Sequence, residues 1–500
     1  SGTLGGDYLA HDNKTGTDRW RYDWQQRQVF SGGLAPGGVP LPGSWTGYAN
    51  MSRVSDNFYP TDFSQSIAGA VTSQFRQEVG TTKGLTGSLS NWAVSARALT
   101  FQTLQPDPTP IQAPYNVLPN ITAAYNNRLT PAVADTSGKY VTLPTGPATT
   151  FSADYTRFSY NIGGNLAATA PGVYSQADRT VIKGAMALPQ ITPGYYITPK
   201  VSFQSNTYNA TPFSAGGAPI AQGFTIPTFS LDSGLAFERD AAELKGFYGR
   251  DMLLTMEPRA FYVFTPYQNQ SQTPLFDTAD AGFGVTQIFS ENTFIGNDRI
   301  ADNNKVTFGV TSRVLDADTG IERMRATIAQ RIDMDGQRVG LTTEQTPVKR
   351  SDLLAGLSTR LVGNFNLDGV VQYNEQVSKL VQQSVTASYR PELRKLINAS
   401  YKRVINPVDT KATSDQYELS GQWPITRQWY GIARYNFDLI SNQVLNRVAG
   451  LEYDADCWVV RVVHRHYQNT SVLSTSEIYM QIDFKGFTGL GSNPIRSEER

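Results

Sequence analysis

The stretch QWYGIARYNF, residues 428–437, sends unlike side chains to alternate sides of an extended chain. One side is apolar and aromatic and the other is polar: Trp429, Gly431, Ala433, Tyr435 and Phe437 against Gln428, Tyr430, Arg434 and Asn436. Successive side chains of a β-strand point to opposite faces of its sheet. The stretch therefore predicts a strand in a sheet with two unlike faces.

The same period-two alternation recurs near both ends of the chain. In Thr17–Phe30 the two faces carry Trp20, Tyr22 and Trp24 against Arg19, Arg21 and Asp23. In Ile478–Phe487 they carry Met480, Ile482 and Phe484 against Gln481, Asp483 and Lys485. Roughly 22 candidate strands can be counted, many of about ten residues or more, whereas soluble strands have a mode of about 5–6. Strands that cross a membrane at a tilt need about 9–11 residues, so we predict an all-β, large antiparallel transmembrane β-barrel of the outer-membrane type.

The connections between these strands differ widely in length. Pro266–Asn304 is long, whereas Pro189–Gly194 and Pro424–Arg427 are short. Short turns at one end and long loops at the other are typical of outer-membrane barrels. A soluble β-sandwich, jelly roll or β-helix is the alternative, although such folds have shorter strands or a fixed repeat. Because the alternation never lapses for long, residues 1–500 are predicted to form one barrel domain.

The amino-acid composition argues against several classes of protein. The 43 basic and 43 acidic residues give a net charge of zero, which disfavours nucleic-acid binding, since that usually needs a basic excess. Charged residues make up 17% of the chain and aromatic residues 11%, too aromatic for a disordered chain. No stretch approaches 18 consecutive apolar residues, so no transmembrane helix is predicted.

The sequence has few residues of the kinds that form catalytic or metal-binding sites, with three histidines and one cysteine. His464 and His466 lie two apart on one strand face, but a zinc site needs three or four ligands, and His11 is the remaining histidine. A position in the aromatic girdle or the lumen is favoured for the pair. No spacing indicates a Ser–His hydrolase either, because a nucleophile needs a base within hydrogen-bond reach. We therefore expect no enzyme activity, no metal and no cofactor.

The single cysteine, Cys457, excludes a disulfide within this chain. It opens the alternating stretch Cys457–Tyr467. It is either a small buried residue or one half of a disulfide whose partner lies in another chain or segment, and the residues themselves leave both interpretations open.

Several longer strings indicate a particular family. They occur in a fixed order along the chain: LDSGLAFERD (Leu231–Asp240), MEPRAFYVFTPYQNQS (Met256–Ser271), GNDRIADNNKVTFGVTSRVLD (Gly296–Asp316), SYRPELRKLINASYKRV, LEYDADCWVVRVVHR and MQIDFKGFTGLGS (Met480–Ser492). With GDYLAHDN (Gly6–Asn13) near the start, they cover nearly all of the chain. The chain resembles the carboxy-terminal barrel of the LptD family of lipopolysaccharide-assembly outer-membrane proteins.

The resemblance implies two departures from the family pattern. Family members carry an amino-terminal periplasmic jelly roll and a barrel of roughly 26 strands, so we expect the jelly roll and the first strands to be absent from this chain. Many relatives have adjacent cysteines where this sequence has Asp456-Cys457. By resemblance, Cys457 forms a disulfide with the absent amino-terminal region.

The resemblance also implies the function. Lipopolysaccharide arrives over an LptA-type periplasmic bridge through the jelly roll, enters the lumen, and leaves through a seam between the first and last strands into the outer leaflet of a Gram-negative outer membrane. An LptE-type lipoprotein plugs the barrel, and no covalent bond changes. Passive diffusion through a porin-type channel is the main alternative; a TonB-type receptor, lacking a plug domain here, ranks below it.

Two segments are the expected functional sites. The last strand at the seam is predicted to be Ile478–Phe487, in which Gly486 and Gly489 weaken pairing at the edge or simply end the strand. Its site residues are Met480, Ile482, Phe484 and Gly486. By resemblance, the long connection Pro266–Asn304 is an extracellular loop that folds toward the lumen and the plug. Its site residues are Tyr267, Phe276, Asp277, Asp298 and Arg299.

Overall fold

The computed structural model describes residues 2–13, 15–34, 40–63, 73–104, 113–127, 146–160, 173–212, 219–285, 287–341, 350–361, 364–407, 410–455, 457–468, 474–484 and 488–491. These residues form 27 strands: β1 (Gly2–Leu9), β2 (Arg19–Leu34), β3 (Pro40–Val54), β4 (Gln74–Gly84), β5 (Trp92–Thr103), β6 (Asn116–Asn127), β7 (Ala148–Ser159), β8 (Tyr174–Ala187), β9 (Gln190–Ile191), β10 (Tyr195–Pro212), β11 (Ile220–Leu235), β12 (Phe237–Asp240), β13 (Met252–Thr265), β14 (Ala279–Asp280), β15 (Phe294–Ile295), β16 (Asn303–Asp316), β17 (Glu322–Asp333), β18 (Leu353–Leu361), β19 (Phe365–Asn374), β20 (Lys379–Glu392), β21 (Lys395–Ile405), β22 (Ala412–Pro424), β23 (Trp429–Asp438), β24 (Gln443–Asp454), β25 (Trp458–Gln468), β26 (Ser474–Phe484) and β27 (Thr488–Gly491).

Twenty-five of these strands belong to one antiparallel sheet, in which each long strand pairs with the next long strand along the chain. The remaining two, β14 and β15, form a separate pair. Five strands have four residues or fewer (β9, β12, β14, β15 and β27), which leaves 22 of eight or more among the described residues. The predicted all-β fold of outer-membrane barrel type, with about 22 strands, is confirmed.

Helices are few and short in the described part of the chain. They are the α-helices Tyr59–Phe63 and Lys245–Tyr248 and the 3₁₀-helices Gly87–Leu89 and Ala242–Leu244. None of the described helices has the length and apolar character needed to cross a membrane.

The two faces of the sheet differ as the alternation predicts. On β10, Asn206 and Tyr208 are each 1% exposed, whereas Val201 and Phe203 are 56% and 43% exposed. We call the first side, against which residues 266–302 pack, the inner face, and the opposite side the outer face. Large apolar side chains exposed on the outer face suit contact with hydrocarbon.

Aromatic side chains form two bands on the outer face. The loop end of the sheet is the end at which residues 266–302 connect β13 to β16, and the turn end is the end at which residues 455–457 connect β24 to β25. At the turn end Trp429 and Trp458 each contact Tyr453, with ring centroids 4.9 and 5.5 Å apart. At the loop end Tyr435 and Phe437 stack at 6.2 Å. Such bands occur where a barrel meets the lipid headgroups.

The predicted faces of QWYGIARYNF are confirmed. Arg434 points to the inner face, where its Nη2 lies 3.0 Å from Glu418 Oε2. Trp429, on the outer face, is 42% exposed.

The carboxy-terminal strands differ from the prediction in one respect. β26 ends at Phe484, and β27 follows it and pairs antiparallel with Gln481–Phe484. One short strand therefore follows the predicted last strand Ile478–Phe487, and it pairs with four of the eleven residues of β26. Met480 and Phe484 are 57% and 45% exposed on the outer face. Gly486 lies outside the described residues.

Candidate functional site: a loop on the inner face

Residues 266–302 leave β13 at the loop end and lie along the inner face of the sheet. Among the described residues of this loop, the only regular structure is the short β14–β15 pair, in which Ala279 faces Ile295. Gly296 follows this pair with a φ of +90°, and a Cβ there would overlap the carbonyl oxygen of Asp277. Only glycine fits this close approach without strain.

A buried ion pair joins this loop to the sheet. Arg179 on β8 donates through Nη1 to Asp298 Oδ1 at 2.7 Å, and through both terminal nitrogens to Asp277 at 2.6 and 2.7 Å. Asp298 is fully buried. It also accepts hydrogen bonds from the Tyr208 hydroxyl at 3.1 Å and the Phe276 backbone N–H at 2.7 Å. The buried carboxylate is thus well paired, as buried charges must be.

The positive charge of Arg179 also lowers the pKa of Asp277 in the loop. Burial alone would raise the pKa of Asp277, but the hydrogen bonds and positive charge of Arg179 outweigh it and hold that pKa below its ordinary value of 3.8. Asp277 is therefore ionised at neutral pH and remains a partner for the guanidinium.

Phe276 fills an aromatic socket beside this ion pair. Its ring stacks on Phe158 with centroids 4.3 Å apart and meets Tyr115 edge-on at 5.0 Å. Tyr174 and Tyr208 lie at 6.1 and 6.3 Å. Aromatic pairs in this range add about 0.5–1.5 kcal/mol each beyond their buried area, so Phe276 anchors the loop through packing while Asp298 anchors it through charge.

The adjoining residues fasten the loop to three further strand side chains. Asn297 accepts hydrogen bonds from Lys183 at 2.7 Å through its side chain, and from Gln204 and Asn206 at 2.9 and 2.6 Å through its carbonyl. Glu291 lies 2.9 Å from the Lys200 ammonium. Polar contacts therefore follow the loop across β8 and β10.

Arg299 joins different parts of the loop region to one another. Its Nη1 donates to Thr273 Oγ1 at 2.8 Å, and its Nε donates to the carbonyl of Leu341 at 3.0 Å. Arg299 is 4% exposed, and this burial lowers its pKa from the ordinary value of 12.5. It holds residues 266–302 against the connection between β17 and β18.

Tyr267, near the start of residues 266–302, contacts the same connection between β17 and β18. The Arg338 guanidinium stands 3.9 Å from the centre of the Tyr267 ring and 3.3 Å from Asp302 Oδ2. Asp302 also accepts the backbone N–H of Val339 at 2.9 Å. The ring thus belongs to an interface between loops.

The middle of the loop, at Ile288 and Phe289, is held by contacts with apolar and aromatic side chains. Ile288 is fully buried with Ala329 of β17 and Leu354 of β18. Phe289 lies under Arg259 of β13, with the guanidinium 4.2 Å from the ring centre. The loop therefore contacts strands from β7 to β18.

The five loop residues predicted from the resemblance fall into two groups. Asp277 and Asp298 meet at Arg179, and Phe276 joins them through its backbone N–H to Asp298, whereas Arg299 and Tyr267 face the connection between β17 and β18. Arg179 itself was missed by sequence reasoning. It sits in an ordinary alternating strand 119 residues from Asp298, and no local signal marks it.

Cys457 is exposed in the turn between β24 and β25. Its backbone N–H donates to the carbonyl of Ala455 at 2.6 Å. Asp454, at the start of this turn, pairs with Arg394 of the β20–β21 turn. The thiol is presented at the turn end of the sheet, and the interpretation of Cys457 as a small buried residue is wrong.

A polar cavity of 650 Å³ lies on the inner face toward the same end. Its lining includes Asn398, Ser420, Arg434, Glu452 and Arg461. Glu452 is 1% exposed and pairs with Arg461, which also lies 3.1 Å from Asp483 on β26.

The histidine pair lies on the outer face of β25. His464 Nε2 lies 2.9 Å from Ser476 Oγ on β26, a contact that sequence spacing does not reveal because it depends on the register of two strands. No carboxylate contact to His464 occurs in the described part of the chain, and no group of three metal-binding side chains is found there.

Comparison with known proteins decides the family. The family model for LptD, the LPS transport system D, matches residues 17–429. The chain belongs to the LptD family. LPS-assembly proteins LptD of Cupriavidus necator and Cupriavidus metallidurans are 40% and 41% identical over 99% of this chain. The chain spans 57% and 56% of those relatives' lengths, a little over half.

Among solved structures, the siderophore receptor PirA of Acinetobacter baumannii aligns with 97% of this LptD-family chain and 74% of its own, at 8% identity and a TM-score of 0.36.

Proposed function

We propose that this chain is the barrel of an outer-membrane translocon that inserts lipopolysaccharide into the outer leaflet of a Gram-negative bacterium. Membership of the LptD family carries the proposal, because the relatives are LPS-assembly proteins. The outer-face aromatic bands support a place in the membrane. In this function the molecule moves lipid and changes no covalent bond.

The sugar chain would travel along the polar inner face. The 650 Å³ cavity offers hydrogen-bonding side chains such as Asn398 and Ser420 close to the turn end. Sugar hydroxyls both donate and accept hydrogen bonds, so amide and hydroxyl side chains suit them. The acyl chains would leave at the seam.

The seam is proposed between β1 and the β26–β27 pair. Among the described residues, β1 pairs with β2 alone, and Ser474–Met480 of β26 pairs with β25 alone. Unpaired strand edges are exposed to new partners, which suits a joint that opens. The predicted seam residues Met480, Ile482 and Phe484 would give emerging acyl chains an apolar surface, with Gly486 beyond them.

The partners follow from the same proposal. An LptE-type lipoprotein would occupy the lumen against the inward loop. The loop residues Tyr267, Phe276, Asp277, Asp298 and Arg299 would hold the loop in place for that contact. An LptA-type bridge would deliver lipopolysaccharide through a jelly roll, and Cys457 would form a disulfide with a cysteine of that domain. The exposure of Cys457 supports this pairing.

A passive porin-type channel is the competing function, and single-channel conductance separates the two. We expect the full-length protein to co-purify with a lipoprotein and to give little steady current, because the loop and the plug fill the lumen. A large permanent conductance together with no retained lipoprotein would overturn the translocon proposal.

A further inference from the structure

Three basic side chains lie together on the outer face near the loop end. Arg447 of β24 stands directly opposite His466 of β25. His464 lies on the same face two residues away, and its Nε2 is 2.9 Å from Ser476 Oγ. Arg447, His464 and Ser476 are exposed. The row thus presents a guanidinium, two imidazoles and a hydroxyl side by side.

The Arg447 charge has no acidic counterpart among the described residues. Other outer-face arginines near the loop end do have one: Arg157 lies 2.8 Å from Asp178, and Arg403 lies 3.5 Å from Asp415. The neighbouring connections, residues 439–442 and 469–473, contain no Asp or Glu. A cation on a lipid-facing surface that the protein leaves unbalanced favours an external anion.

Apolar surface begins immediately next to the row. Toward the turn end, on the same face, Leu451 is 47% exposed, Ile478 is 74% exposed and Met480 is 57% exposed. Tyr435, directly opposite Arg447 on β23, belongs to the aromatic band that marks headgroup depth. A ligand with an anionic head and apolar tails matches a basic row that lies next to apolar side chains. A free anion would contact the basic row alone.

We propose that Arg447, His464 and His466 bind the phosphate group of an anionic membrane lipid at the outer face beside β26. Arginine presents a planar fork of donors that matches phosphate oxygens. The imidazoles and the Ser476 hydroxyl supply further donors, and the acyl chains lie along Ile478 and Met480. The site depends on charge and surface alone, so it holds whether or not the chain transports lipid.

Native mass spectrometry of the detergent-solubilised full-length protein tests the site. The probes are phosphatidylglycerol, phosphorylated lipid A, phosphatidylcholine and inorganic phosphate, and the variants are R447Q, R447K and the matched control R403Q. We expect R447Q to weaken binding of both anionic lipids about fivefold, since one basic residue near a membrane surface contributes that much. R447K should recover part of this loss, and R403Q should bind as the unmodified protein does.

Three results would overturn the proposal. R447Q could bind the anionic lipids as tightly as R403Q does. Every variant could lose phosphatidylcholine and anionic lipids equally, which would indicate a general effect on the barrel wall. Inorganic phosphate could displace the lipids completely at equal concentration, which would make the row a site for free anions.

Discussion

Arg179 and Asp298 form an ion pair of 2.7 Å between residues 119 positions apart in the chain. Their side chains are 2% and 0% exposed. Arg179 belongs to β8, and Asp298 belongs to the loop that leaves the wall after β13, three long strands later along the chain (β10, β11 and β13). This pair attaches the loop to the inner face through two fully buried charges.

Replacing Arg179 with Met should lower the free energy of unfolding by about 3–5 kcal/mol, because it leaves Asp298 charged, buried and without its cation. Urea unfolding of the folded barrel measures the loss. The matched control is Arg157→Met, which removes a partly exposed pair with Asp178 and should cost about 0–1 kcal/mol. Equal losses in both variants would contradict the assigned role of Arg179.

Acid should loosen the loop through Asp277. Its pKa in the folded protein is held below 3.8 by Arg179, so its stabilising effect is fully present above pH 3.8 and is lost as the pH falls through the lowered pKa. The stability of the unmodified protein should therefore fall below that pH. Asp277→Asn should be less stable at neutral pH and should show a smaller fall in acid, and unfolding midpoints across this range measure both. Parallel pH curves would refute the linkage.

A substitution at Gly309 tests how Phe289, in the middle of the loop, packs against the sheet. A Cβ added there would lie 2.7 Å from Phe289 Cζ, whereas one added at Gly356 meets nothing closer than Val285 Cγ2 at 3.6 Å. Gly309→Ala should displace the Phe289 ring and destabilise the protein by about 1–3 kcal/mol. Gly356→Ala should be close to neutral in the same unfolding measurement. If both variants are neutral, Phe289 is not held where the packing places it.

The orientation of the wall can be tested at two successive residues of β20. Val385 is 42% exposed on the outer face, and Ser384 points to the inner face. Val385→Arg should destabilise the barrel in lipid by about 2–4 kcal/mol, as a charge on the lipid face near mid-membrane does. Ser384→Arg should have a much smaller effect. The reverse order would mean that the two faces are assigned the wrong way round.

The strand wall was largely predictable from the sequence because each strand's pattern is local. The alternation of Trp429–Phe437 alone placed Arg434 inside and Trp429 outside, and the structure agrees. The end of the wall was predicted less well. The predicted strand Ile478–Phe487 runs to a different end than β26, which stops at Phe484, and the return pairing of β27 depends on long-range geometry that no periodicity reports.

The candidate site was predictable only in part. The length and aromatic content of the predicted connection Pro266–Asn304 marked a special loop, and the family resemblance supplied five of its residues. Arg179 and Tyr208, which bind Asp298, were not identified, because their strands look like any others. The contact of His464 with Ser476 was missed for the same reason, since it arises from the register between β25 and β26.

We propose that lipopolysaccharide passes along the inner face of this barrel, and photo-cross-linking in living cells can detect that passage. A photo-reactive amino acid replaces Ser420, which lines the polar inner cavity, or its neighbour Leu419, which is 53% exposed on the outer face. We expect a lipopolysaccharide adduct at position 420 of the full-length protein that disappears when the LptA-type bridge is depleted, while any adduct at position 419 persists. No adduct at position 420, or one that does not depend on the bridge, would contradict it.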